Sequence, residues 1–452
     1  MKRSFDDSVL DHLGQRIRPL SDDIAERYPG ESSGRQPVHT VYGGAQLFRS
    51  GTARRLGDLA LHQLDTYAPD AATFGDAIGL VADGELRQVI YERMRRKLES
   101  EPVEDFRIDF EDGFGNRPDE EEDACAVAAA EAVADGMASA VLPPFIGIRI
   151  KPLAGELYRR SVSTLDIFVS TLLDCTGGQL PEGFAVTLPK VMEPAEVAIF
   201  VDVLEQLELA VGLENRALQL ELMIETPQSI IASDGSSMLP ALVEAARGRC
   251  VGAHFGVYDY TAAAGISAQY QAMDHPACDF ARHMMQVALA GTGVRLSDGA
   301  TNVIPVAVHR SGASTELTPA QVDENRCSFH SAWRLHYQHV RHSLRHGFYQ
   351  GWDLNPAQLP TRYAAVYAFF LENVGAASRR LRNFVSVAAQ ATLVGEVFDD
   401  AATGQGLLNF FLRGLGCGAL SEEEVLETGL SLEELRARSF LKILAGRRGG
   451  TL

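Results

Sequence analysis

The chain has 452 residues and carries 60 acidic against 41 basic side chains, a formal charge of -19 at neutral pH. A surface this acidic repels nucleic acid and anionic lipid, so neither is expected as a partner, and an anionic small molecule must be gripped by a few local Arg or Lys residues. The six cysteines are scattered (Cys125, Cys175, Cys250, Cys278, Cys327, Cys417), with no CxxC and no zinc spacing. That usage, the absence of an apolar leader and the lack of any bilayer-length apolar run lead us to expect a cytoplasmic protein.

Residues 1–36 are polar, with Pro19, Pro29 and Gly30, and read as an N-terminal extension: a short helix, then a loop. VHTVYGG, residues 38–44, is the first strand candidate, closed by glycines. TARRLGDLALHQL follows as a helix with Thr52 at its start, where Arg54 and Arg55 read as a solvated face rather than an anion site. GELRQVIYERMRRKLES is an amphipathic scaffold helix. FRIDF alternates into a strand that ends on Glu111 and Asp112. The acids 119–123 after Pro118 complement the dipole of an Ala-rich helix and are not read as a metal cluster. Asp109, Glu111 and Asp112 differ from them, because a strand end is where carboxylates order metal-bound water or orient an arginine.

FIGIRIKPL, residues 145–153, places Arg149 near a strand end. A guanidinium there suits a bidentate grip on a substrate carboxylate or developing enolate, and equally an ion pair with Glu111 or Asp112. FAVTLPKV sets Lys190 just past the next strand, as a substrate contact or a rim ion pair. LELMIETPQSI and GAHFGVYDY are apolar runs ending on Glu225 and Asp259, with one helix between them. Two carboxylates at adjacent strand ends suit a hard cation such as Mg²⁺, with Mn²⁺ as a substitute.

Strand ends near Glu111, Arg149, Lys190, Glu225 and Asp259 recur at the length of one strand–helix unit, the alternation of parallel βα repeats. VIPVAVH, residues 303–309, is read as a seventh strand and GWDLNP, residues 351–356, as an eighth. Eight such units close a (β/α)₈ TIM barrel, expected over residues 37–360, with a helical C-terminal extension over 361–452. An open doubly wound sheet is the other α/β solution, but no GxGxxG stands at a strand–helix turn. Between the last two strands a long helix carries His336, His339 and His342 at helical spacing. Interleaved with arginines, they read as an interfacial or solvated face rather than a transition-metal site.

IDFEDGF, IRIKP, VTLPKV, LMIETP and FGVYDYTAAAG, in that order, resemble the citrate lyase beta-subunit and HpcH/HpaI aldolase family, over about residues 38–360. DFED, LPK and GRCVGAHFGVYDY also look like malate synthase, a related barrel. The resemblance implies Mg²⁺ held by Glu225 and Asp259, Arg149 on the substrate oxygen or carboxylate, and Glu111 and Asp112 supporting the catalytic groups. It implies a carbon–carbon lyase or aldolase for a carboxylic acid or its acyl-CoA thioester, and assembly as a homo-oligomer is expected. A condensing enzyme like malate synthase and a non-catalytic carboxylate-binding barrel are the alternatives. Two positions depart from the pattern. Lys151-Pro152 stands where the family has Asn after the arginine strand, and Asn355-Pro356 stands where it has His-Pro. Asn355 is therefore a candidate for substrate binding or for shaping the last loop, and free and thioester substrates both stay open.

Overall fold

Eight short strands, each separated from the next by one or more helices, hydrogen-bond side by side until the eighth meets the first. They are β1 (His39–Gly44), β2 (Asp105–Asp109), β3 (Phe145–Arg149), β4 (Ala185–Leu188), β5 (Gln219–Ile224), β6 (Cys250–Phe255), β7 (Arg295–Ala300) and β8 (Gln350–Asp353). Every pairing is parallel, including the closure of β1 on β8, where His39 lies opposite Gly351. The protein is thus a (β/α)₈ barrel, as the alternation of the sequence requires. The computed structural model describes residues 4–30, 34–310, 316–386, 392–394, 397–399, 401–436 and 443.

Strand residues alternate between the helix layer and the barrel interior. Ile108, Ile148, Val186, Leu222 and Phe255 are buried outward against helices and form the apolar core. The interior is polar instead: Thr40, Asp105, Arg107, Thr187, Glu221, His254 and Gln350 are all buried there. Arg107 spans it to reach Glu221 on β5, with Nε and Nη2 at 2.8 and 2.7 Å from the two carboxylate oxygens.

The first helix, Asp7–Arg27, is capped by Asp6 and has no buried residue. After β8, the apolar helix Leu359–Leu371 is buried almost all round and packs on Thr52–Tyr67, Gly84–Ser100 and Pro319–Arg345. It therefore belongs to the barrel's own helix layer. The segments Val374–Ser386 and Ala401–Gly416 continue from it as helices.

The seventh strand is Arg295–Ala300, not the 303–309 run. In RLSDGA, Asp298 points outward and is buried against Arg282 and Ser343, so a polar pair replaces the expected apolar pattern. The 303–309 segment carries Pro305 and leaves Val303, Val306 and Val308 at 45%, 51% and 64% exposure, an apolar run lying on the surface. The histidine helix also differs from expectation. His336 and His339 are buried, at 2.6 Å from Thr361 Oγ1 and 2.9 Å from Thr301 Oγ1.

Candidate active site

The C-terminal ends of β2 to β6 bring together the carboxylates and cations that the sequence places at strand ends. Asp109 closes β2 and accepts from Arg149 Nε at 2.7 Å and Nη2 at 2.5 Å. The same carboxylate accepts the backbone N–H groups of Glu111 and Gly113 at 3.0 and 2.7 Å. Asp109 thus shapes the turn and clamps the guanidinium with one set of four bonds, a fork-to-fork pairing that fixes Arg149 in orientation. Arg149 Nη1 lies 3.0 Å from Glu111 Oε2, and Nη2 is 3.6 Å from Asp112. Asp112 is mostly exposed at the rim. The sequence reading groups Asp109 with the strand-end acids without assigning it this grip.

Lys190 stands two residues past β4 with φ of 54°. That left-handed backbone turns its N–H onto Glu225 Oε1 at 2.7 Å and sends its side chain back to Glu111 Oε1, also at 2.7 Å. Asp259 Oδ2 is 3.4 Å from the same ammonium. Glu225 follows β5 directly and is 1% exposed, whereas Asp259 lies in the helix Val257–Ala263 and is about half exposed. A Cβ on Gly256 would come within 2.6 Å of Glu225 Oε2, so the carboxylate occupies a recess that only glycine leaves open.

Charge is out of balance here. Burial pushes Glu225 up to about 8; Lys190 pulls it down only in part, and Glu111 and Asp259 add to the rise. Burial also raises Glu111, against the pull of Arg149 and Lys190. Lys190 resists its own burial and is held above its usual range by Glu225 and Glu111. Glu111 and Asp259 therefore share the Lys190 ammonium, Glu225 takes only the Lys190 backbone N–H and the longer-range pull of that charge, and among the described residues nothing donates to Glu225 Oε2. All the spare donors are carboxylate oxygens, the set that Mg²⁺ or Mn²⁺ takes. Glu225 and Asp259 fit that role on charge, donor type and the Gly256 recess.

A second group of potential ligands, Asp279, His342 and His346, lies between the helices Pro276–Leu289 and Pro319–Arg345. Arg282 Nη2 already sits 2.5 Å from Asp279 Oδ1 and 3.3 Å from His342 Nε2. The guanidinium takes the place a cation would need, so this cluster reads as structural.

Asn355 is not drawn into the mouth's ion network. Its Oδ1 accepts from Ala357 N at 2.9 Å and its own N–H donates to Gln358 Oε1, a capping box on the turn Pro356–Gln358. Lys151, at the other departure from the motifs the sequence resembles, is buried and paired with Glu122 Oε2 at 2.6 Å and the carbonyl of Phe110 at 2.7 Å. Missing from the sequence reading are the inward residues beneath the mouth, Tyr42, His254 and Trp352. Tyr42 lies under the Arg149 guanidinium at 4.9 Å and packs against Trp352, the rings tilted by 40° with centroids 4.6 Å apart. Their signal was the period-two alternation of each strand, which puts Asp105, Arg107 and Asp109, or Glu221 and Glu225, on one inward line.

The fold and the mouth define a parallel (β/α)₈ barrel with a clamped arginine beside an uncompensated carboxylate cluster. The chain belongs to the family described as a domain of unknown function, DUF6986, which matches residues 17–443. No curated protein matches it. Solved structures similar to it include a citrate lyase from Burkholderia xenovorans LB400, 16% identical over 88% of this chain and 97% of that one, with a TM-score of 0.55. At that identity the likeness shows the fold. Malate synthase from Haloferax volcanii in its magnesium/glyoxylate complex is 13% identical over 89% of this chain and 97% of that one. Its TM-score of 0.44 is too low to bear on this site.

Proposed function

We propose that this mouth is the active site of a Mg²⁺-dependent carbon–carbon lyase or aldolase that cleaves a hydroxy or oxo acid, free or as its CoA thioester. The observation that carries the reading is Glu225, a carboxylate 1% exposed, lacking a full counter-charge and recessed behind a glycine. Burying such a group is costly unless a cation completes it. A divalent ion held by Glu225 and Asp259 would supply Lewis-acid polarisation of a substrate carbonyl. Arg149 presents a guanidinium edge, fixed by Asp109, to the substrate carboxylate or to the oxygen on which enolate charge develops. Lys190 faces the same space and screens that charge. Glu111, bonded to Lys190 and beside Arg149, holds both cations in place, and Asp112 at the rim is open to solvent for proton exchange.

The test is Mg²⁺ calorimetry on the wild type, Glu225→Gln and Asp259→Asn, run beside a panel of 2-oxo and 3-hydroxy acids and their CoA thioesters assayed for pyruvate, oxaloacetate or aldehyde release. We expect Mg²⁺ binding in the wild type only, and Mg²⁺-dependent product from a member of the panel. Equal Mg²⁺ affinity in all three proteins would overturn the metal assignment. Thioester loss that requires added glyoxylate would move the reading to condensation. Tight Mg²⁺-dependent ligand binding without any product would mark a binding barrel.

A further inference from the structure

Below Arg149 a second line of polar contacts crosses the barrel interior, and the lyase reading gives it no task. The Tyr42 hydroxyl is 3.0 Å from His254 Nδ1, and His254 Nε2 is 3.5 Å from Glu221 Oε1. Glu221 is fixed by Arg107 through both oxygens and by Thr187 Oγ1 at 3.1 Å. Arg107 also bonds Asp105, so two buried carboxylates face one guanidinium. The cluster is short of one positive charge or one proton. Burial raises Asp105 against the pull of Arg107, so its carboxyl is the group inside the cluster that can take that proton. His254, Glu221, Arg107 and Asp105 are sealed, while Tyr42 keeps partial exposure at the floor of the mouth.

We infer that Tyr42 is the catalytic acid–base of this site, with His254 and Glu221 as positioning residues behind it; the inference rests on the enolate-forming reading above. A carboxylate facing Nε2 keeps the proton on that nitrogen and leaves Nδ1 to accept from Tyr42 O–H, the division of labour of a nucleophile–His–carboxylate triad with a phenol in first place. In the cleavage direction, the substrate O–H bond breaks and its proton moves to the Tyr42 oxygen as the Tyr42 proton passes to His254 Nδ1. The electron pair left on the substrate oxygen becomes the new carbonyl while the carbon–carbon pair departs as the enolate. His254 then returns its proton to Tyr42, and the Tyr42 proton forms the new C–H bond. No oxidant or co-reactant enters. Burial and the Glu221 charge hold the Tyr42 hydroxyl well above its ordinary range, against Arg107 and Arg149, so it relays protons rather than resting as a phenolate. Trp352 Nε1, buried beside Tyr42 with no hydrogen-bond partner among the described residues, offers a donor on the same floor.

The probe is pyruvate in D₂O with Mg²⁺, followed by NMR for exchange of its methyl protons, a reaction that needs enolisation but no natural substrate. The wild type is expected to exchange and Tyr42→Phe to slow exchange roughly 10²–10⁴-fold, with Mg²⁺ affinity by calorimetry unchanged. His254→Gln should slow it and also flatten its pH–rate profile, which a purely structural histidine would not do. Exchange by Tyr42→Phe within about fivefold of wild type overturns the relay and leaves the lyase reading standing. A wild type that neither exchanges pyruvate nor turns over any acid in the panel removes both. Should Tyr42→Phe fail to fold, ¹⁵N NMR of His254 in the wild type decides: the Nε2–H tautomer is expected, and an Nδ1–H tautomer overturns the proposal.

Discussion

Two clusters of buried carboxylates, built from the same residue types, meet opposite fates in this barrel. On the outer side of β8, Asp353 is fully buried between His39, at 2.7 Å from Oδ2, His336 Nε2, at 3.0 Å from Oδ1, and the guanidinium of Arg362, at 3.0–3.2 Å. Against the cost of burial, Arg362 and the two histidines hold Asp353 well below the usual carboxylate range. At the mouth, Glu225 is almost as buried, but its lysine is shared with Glu111 and Asp259, and it is pushed up to about 8. The difference lies in the ratio of cations to carboxylates. A saturated cluster is architecture; an undersaturated one stores a demand for positive charge that a ligand can meet.

The comparison breaks first at Asp353. Asp353→Ala strands a buried arginine and two histidines, and it should cost about 3–5 kcal/mol of stability in urea unfolding, the scale of removing one member of a buried ion pair. A loss below about 1 kcal/mol would show that water enters this layer and that saturation is not what holds it.

Glu225→Gln should act in the other direction. A carboxylate whose folded value is near 8, against 4.5 ordinarily, binds its proton more tightly when folded. Its contribution to stability is therefore complete below pH 4.5 and is lost as pH rises through about 8. The amide removes that penalty, so without metal the variant should be more stable than wild type at pH 8 by on the order of 1–3 kcal/mol, and equal to it near pH 4. Mg²⁺ should reverse the order, because only the wild type gains from binding. Parallel stability–pH curves for the two proteins would remove the undersaturation argument.

The same contrast explains how much of this molecule its sequence discloses. The barrel is legible because apolar strand runs and helices alternate, at similar spacing from β2 to β6. Arg149, Lys190, Glu111 and Glu225 are legible because each stands at the end of such a run. β7 is not, since its Asp298 is buried against Arg282 from one helix and Ser343 from another, and such long-range partners leave no local trace. His336 and His339 fail for the same reason, their partners Thr361 and Thr301 being 25 and 38 residues away. Asp109 sits in the motif as plainly as Glu111, but only the fold decides which of them clamps Arg149.

The smallest expected effect is at Asn355, where this sequence differs from the citrate lyase and aldolase motifs it resembles. The side chain caps the turn Pro356–Gln358, and Gln358 Nε2 ties that turn to the carbonyl of Thr301 at 2.9 Å. Asn355→Leu deletes the cap and should cost about 1 kcal/mol, with turnover per folded molecule little changed. Asn355→His should cost less, for the molecule already contains the equivalent: His275 precedes Pro276, and its Nδ1 accepts from Ala277 N at 3.1 Å to cap the next helix. An imidazole at 355 can make that bond and stay outside the chemistry, so the pH–rate profile should match wild type. A new kinetic pKa near neutrality in Asn355→His would place this turn on the proton path, and the last loop would then belong with the undersaturated cluster rather than with the architecture.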